Sequence, residues 1–171
     1  MRKFIILLLS VVCFTSCKKE PFFSNFDTIE HYQLAVKDNV VERILIENKD
    51  SVLVKTITGT LPEKLKDNVF FSEINSDNFV KNQFTSDDLN KFIKLFNSDV
   101  FLDYDAAACA PTYRDFLILK KGKAVVGIVK ICVHCEMHCI IGIDKNKKTI
   151  GFCGSLEYSE LKKLLKKYQS K

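Results

Sequence analysis

The chain has 171 residues, 47% of them hydrophobic and 27% charged, which is enough for one domain with its own core. A domain near this size buries roughly 68–70% of the surface its unfolded chain exposes. The formal charge is +5, and the sequence holds no Gly-rich phosphate loop and no Gly-x-Ser-x-Gly. So mild an excess of positive charge leaves no electrostatic footprint for nucleic acid.

Arg2 and Lys3 precede an apolar run, Phe4 to Leu9 and Val11 to Phe14, broken only by Ser10. The run is about half of what a helix needs to span a bilayer. Residues 1–16 therefore predict a cleaved signal peptide. Phe14-Thr15-Ser16-Cys17 resembles a bacterial lipoprotein signal. Ser16 fits the small position and Thr15 the one before it, while Phe14 stands where Leu is usual. Cys13 fits less well, because Val12 would take the small position. The resemblance implies that Cys17 is the first mature residue, with a diacylglyceryl thioether on its sulfur and a fatty acid such as palmitate on its amine. Two or three acyl chains hold a protein on a membrane, whereas one does so only marginally. Lys18, not Asp, follows the cysteine, and the same resemblance then implies the outer membrane. An ordinary secreted protein cut near Cys17 is the alternative. The leader holds two of the 26 basic residues and none of the 21 acidic ones, so the mature formal charge is +3.

Residues 17–28 read as a tether, and 29–171 as a single domain. Asp27-Thr28-Ile29-Glu30 suits a capping box opening a helix through Ile29, Tyr32 and Val36, or equally the approach to a strand. Val40 to Glu47 and Ser51 to Thr58 are rich in Val, Ile, Leu and Thr, and Asn48-Lys49-Asp50 separates them. This predicts a β-hairpin. Pro62 opens a short helical turn through Leu65. Phe70 to Phe84 has no clear period and reads as loop with one short strand. Thr85-Ser86-Asp87-Asp88 starts a helix over 85–97, with a hydroxyl at the cap and acids in the first turn. Leu89, Phe92, Ile93 and Phe96 give it a buried face. Asp115 to Lys121 and Lys123 to Val133 predict two strands joined at Gly122. His138 to Asp144 and Lys148 to Cys153 predict another pair. A helix over 155–168 closes the chain, with Leu161, Leu164, Leu165 and Tyr168 inward and its lysines largely toward water. The class is α+β, with a mainly antiparallel sheet built from hairpins, one central helix and one C-terminal helix.

The chemistry is concentrated in Ile131-Cys132-Val133-His134-Cys135-Glu136-Met137-His138-Cys139. With Cys109 and Cys153, the mature chain beyond Cys17 has five cysteines. An envelope compartment is oxidising, so disulfides come first, and an odd count leaves at least one thiol over. An extended chain would set the Cα atoms of Cys132 and Cys135 about 10 Å apart, whereas a disulfide needs them within about 7 Å. A bridge between them requires a turn at Val133-His134. A straight strand would instead place Cys132, His134, Glu136 and His138 on one face, and Cys135, Met137 and Cys139 on the other.

Three readings compete. In the first, Cys109 and Cys153 bridge structurally into this segment. In the second, Cys132, His134, Cys135, His138 and Cys139 hold a soft metal, Cu or Zn. In the third, Cys132-x-x-Cys135 is a thiol–disulfide oxidoreductase motif. A thioredoxin-type helix cannot extend past Cys139, because Gly142 breaks it and Ile140 to Ile143 read as strand. Glu136 stands where haem attachment needs His. Arg114-Asp115 reads as a surface ion pair, or as part of a small polar pocket near Cys109.

A cysteine and proline before Arg114-Asp115, a strand ending in Ile131-Cys132-x-x-Cys135, and Phe152-Cys153 before a Leu/Lys helix are similar to a group of small uncharacterised bacterial lipoproteins and secreted proteins. The resemblance spans roughly residues 85 to 168 and implies a shared scaffold. It carries over to Cys109, Cys132, Cys135 and Cys153 as structural cysteines, in two disulfides. His134, His138 and Cys139 lie outside the pattern. The expected protein is a disulfide-stabilised envelope module that binds or supports rather than catalyses. It needs no cofactor, contacts the membrane through Cys17, and has no nucleic-acid partner.

Overall fold

A computed structural model of the chain describes residues 26–97, 109–143, 149–155 and 158–168. The signal peptide and Cys17 lie outside the described residues. The described chain forms a six-stranded antiparallel sheet with helices on both faces, an α+β fold as the sequence predicts.

The sheet is built on Asp115–Lys121 (β3) and Ala124–Cys132 (β4). Gly122 joins them at φ +56°, a conformation that glycine adopts without strain. Residues 115–119 and 127–132 are buried without interruption. Side chains of a strand alternate between faces, so both faces must be covered. Leu117, Leu119, Val129 and Ile131 enter one core, and Phe116, Ile118, Ile128 and Cys132 enter the other. Each large apolar side chain buried this way contributes about 1.5–3 kcal/mol. Thr28–Leu34 (β1) and Phe79–Gln83 (β2) extend the sheet on one side of β3, and Met137–Ile143 (β5) and Thr149–Ser155 (β6) on the other, in the order β2-β1-β3-β4-β5-β6. The pattern at 27–36 thus resolves as strand. Phe26 and Asp27, expected in the tether, already belong to the fold: Phe26 packs on Phe92, and the Asp27 N–H donates to the Lys120 carbonyl at 2.9 Å.

The hairpin expected over 40–58 does not form. Asp38–Glu47 (α1) and Val52–Ile57 (α2) are helices, and Asn68–Ile74 (α3) takes the first part of the expected loop, while β2 is the short strand expected there. Two caps explain part of this. Ser51 Oγ accepts the Val54 N–H at 3.2 Å, and Asp67 Oδ1 accepts the Phe70 N–H at 3.1 Å. Tertiary burial supplies the rest, because Val41, Ile57, Phe70 and Ile74 cover the Phe116 face. β propensity measures how well a side chain fits its packing environment, and here a helical environment wins.

The other face is covered by Ser86–Asn97 (α4) and Tyr158–Lys166 (α5). Thr85 caps α4: its Oγ1 accepts the Asp88 N–H at 3.2 Å. The C-terminal helix starts at Tyr158 rather than 155 because Thr149–Ser155 stays in the sheet. Lys162, Lys163 and Lys166, with Lys167 just past its end, are exposed, as the sequence predicts. Lys167 Nζ donates to Asp88 at 2.6 Å, and Tyr168 Oη donates to the same carboxylate at 2.8 Å while its ring stacks on Phe84.

Two consequences can be measured. A Cβ at Gly59, which has φ +86°, would lie 2.5 Å from Cε2 of the buried Tyr113 ring. Gly59→Ala should lower the unfolding free energy by more than about 1 kcal/mol in urea titration, through backbone strain and the clash together. Lys167, with Tyr168 and Thr85, holds the Asp88 carboxyl down to about 2 from its ordinary 3.8. The stability this brings is complete above pH 3.8 and is lost as the pH falls through about 2. Asp88→Asn should remove that acid limb and cost about 1–3 kcal/mol at pH 7.

Candidate functional site

The cysteine-rich segment turns. β4 ends at Cys132, residues 133–136 reverse the chain, and β5 begins at Met137, opposite Cys132 in the register. Glu136 takes φ +52° to close the turn. Because Cys132 and Met137 face each other, they share a face with Cys139, and all three belong to the Phe116 core. His138 points the opposite way and meets the Phe96 ring at 5.3 Å. The straight-strand expectation is corrected accordingly: Cys132 and His138 lie on opposite faces of the sheet.

The turn also carries Cys135 to Cys109, and the two form a disulfide with Cα atoms 6.0 Å apart. Cys139 and Cys153 are direct partners on β5 and β6 and form a second disulfide, Cα atoms 4.0 Å apart. Cys132 is free and buried. In the structure, therefore, Cys139 occupies the place in the disulfide set that the resemblance gave to Cys132. The five residues of the soft-metal reading do not converge. Cys135 and Cys139 are in separate bridges, His134 is exposed, and His138 is on the far face. Among the described residues no three His, Cys, Asp or Glu side chains form a group able to hold a metal ion.

At this end of the sheet lies a cleft of about 550 Å³. Val41 and Leu45 of α1, Cys132 and Cys135 at the β4–β5 turn, and Lys162 of α5 all line it. Arg114 and Asp115 both line it but do not pair with each other, since neighbours on a strand point apart. The Arg114 guanidinium donates to the Asp38 carboxylate and the Val36 carbonyl. Its backbone is fixed between two strands: the Leu34 N–H donates to its carbonyl at 2.8 Å, and its own N–H donates to the Ile131 carbonyl at 3.2 Å. Asp115 Oδ1 instead lies 2.8 Å from His31 Nε2, both groups buried. The expectation of a surface Arg114–Asp115 ion pair is replaced by these two separate contacts.

Two notable residues escape sequence reasoning. His31 sits on the same face of β1 as Ile29, and that period-2 spacing is its signal. Lys130 is buried within the apolar end of β4. Its Nζ donates to the Gly59 carbonyl at 2.6 Å and lies 5.6 Å from the Tyr113 ring centroid, and desolvation lowers its pKa. The Tyr113 hydroxyl in turn contacts the bridged Cys139 sulfur at 3.0 Å, donating to it. A polar thread thus runs under the sheet from the α2 end to the second disulfide.

Burial pushes His138 down to about 4 from its ordinary 6.5. The unfolded chain takes up this proton near pH 6.5 while the folded chain stays neutral, so stability falls as pH drops from 6.5 toward 4. The loss should reach up to about 3 kcal/mol, and His138→Leu should flatten that limb in urea titrations across the range. Comparison with protein-family models, with curated proteins and with solved structures gives no match to this chain, so the reading of the cleft rests on its own geometry.

Proposed function

We propose that the protein is a lipid-anchored lipoprotein of the bacterial outer membrane, belonging with the small lipoproteins its cysteine pattern resembles. Its disulfide-stabilised domain is a binding module rather than an enzyme, and the sheet-end cleft is its binding surface. The observation that carries this reading is the way the cleft is built. The Cys109–Cys135 bridge ties the segment before β3 to the β4–β5 turn, and the two together form one wall. A bridge of this kind typically adds about 2–4 kcal/mol, and such bridges persist in oxidising compartments. A wall held covalently keeps its shape without a ligand, which lowers the ordering cost of binding.

The cleft is lined by apolar Val41 and Leu45 together with polar Arg114 and Lys162. That mixture suits an amphipathic small molecule or a short peptide, with Arg114 as the oriented donor. The soft-metal reading of Cys132, His134, Cys135, His138 and Cys139 gains nothing from this arrangement, because two of its sulfurs are spent in disulfides. No cofactor is required, and nucleic acid is not a partner.

Two measurements test the reading. Cells fed an alkyne palmitate analogue should label the full-length protein in the outer-membrane fraction, and Cys17→Ser should abolish the label. A processed, unlabelled wild-type protein would refute the anchor. A methyl-detected NMR screen of small amphiphiles should shift Val41 and Leu45, with affinity falling about tenfold in Arg114→Ala, roughly the loss of one charge-assisted hydrogen bond. Hits that leave these methyls unmoved would refute the cleft.

A further inference from the structure

Cys132 is the free thiol in this set, and it is buried at the end of β4. The adjoining turn brings the Cys135 N–H to 3.4 Å from Cys132 Sγ. The sulfur of Cys135 is three bonds from that nitrogen and is already joined to Cys109. Cys109 and Cys135 are both partly exposed, whereas Cys132 is 2% exposed. A thiol too buried to meet a bulky external disulfide is thus held beside an internal one.

The geometry points to a thiol–disulfide relay. The thiolate of Cys132, having given its proton to solvent, attacks Sγ of Cys135. The Cys132–Cys135 bond forms as the Cys109–Cys135 bond breaks. Cys109 leaves as a thiolate and takes up a proton. One thiol and one disulfide exist before and after, so no outside oxidant or reductant is needed. The exchange moves the reactive thiol from buried position 132 to partly exposed position 109. It also frees the Ala110–Thr112 side of the cleft from the turn. The second bridge is less suited to this exchange. Cys132 stands opposite Met137 rather than Cys139, and the Cys139 sulfur is engaged by Tyr113. This relay is independent of the lipid anchor, and it acts on the bridge that holds one wall of the proposed binding cleft.

The test is to hold the full-length protein in detergent with N-ethylmaleimide, quench in acid, digest without reduction and follow the tryptic peptide containing Cys109. The relay requires this peptide to come free with the label on Cys109, faster as pH rises, and at least tenfold slower in Cys132→Ser. It also requires Cys109→Ser, oxidised with glutathione disulfide, to lose both remaining thiols and form the Cys132–Cys135 loop. The relay is overturned if Cys109 stays linked while Cys132 alone is labelled, or if Cys132→Ser releases Cys109 at the wild-type rate. It is equally overturned if the label lands on Cys153, or if oxidised Cys109→Ser keeps both thiols.

Discussion

Burial of β3 and β4 on both faces is the constraint on which the rest of this protein depends. An antiparallel sheet commonly leaves one face to water, and its strands then alternate apolar and polar residues. Here Phe116 to Leu119 and Ile128 to Ile131 are buried on every side chain, including Lys130. Two layers of helix are therefore obligatory. α1 to α3 cover the Phe116 face, and α4 with α5 cover the Leu117 face. The connections accomplish this economically. The segment between β1 and β2 supplies the first layer, α4 between β2 and β3 begins the second, and α5 completes it. At the end of the sheet marked by Asp115 and Cys132, residues of α1 and of α5 both line the cleft.

The second constraint is the four-residue reversal at 133–136. One turn decides the fate of seven chemically active side chains. It sets Cys132 opposite Met137, sends His138 into the α4 layer, and swings Cys135 out to Cys109. A segment that looks like one dense cluster in the sequence is thereby divided among two core faces, the solvent and two disulfides. The turn also leaves a thiol, a disulfide and a cleft in contact, and the exchange chemistry proposed for Cys132 arises from that adjacency rather than from any metal or helix dipole.

Much of this architecture was legible in the residues. The β3–β4 pair, the β5–β6 pair, and the helices at 86–97 and near the C-terminus all carry patterns of period 2 or 3.6 with clear caps or turns. The error at 40–58 has a physical origin. Val, Ile and Thr favour strands only when a pleated, half-buried surface is available, and here Val41 and Ile57 are buried instead as helix residues on the Phe116 face. The Ser51 and Asp67 caps were the available signals for α2 and α3. Pairing among Cys109, Cys135, Cys139 and Cys153 was not legible, since it depends on the β5–β6 register and on the turn that carries Cys135 to Cys109, neither of which spacing alone specifies. His31 was hidden for a similar reason: its partner Asp115 is 84 positions away in the chain.

The state of Cys132 at rest tests this account most directly. Acid-quenched, denatured protein, alkylated before any reduction and mapped by mass spectrometry, should carry the alkyl group predominantly on Cys132. Cys109 should be linked to Cys135 and Cys139 to Cys153. A resting protein in which most Cys132 is already bridged, or in which Cys139 or Cys153 is alkylated instead, would contradict the register and the turn together.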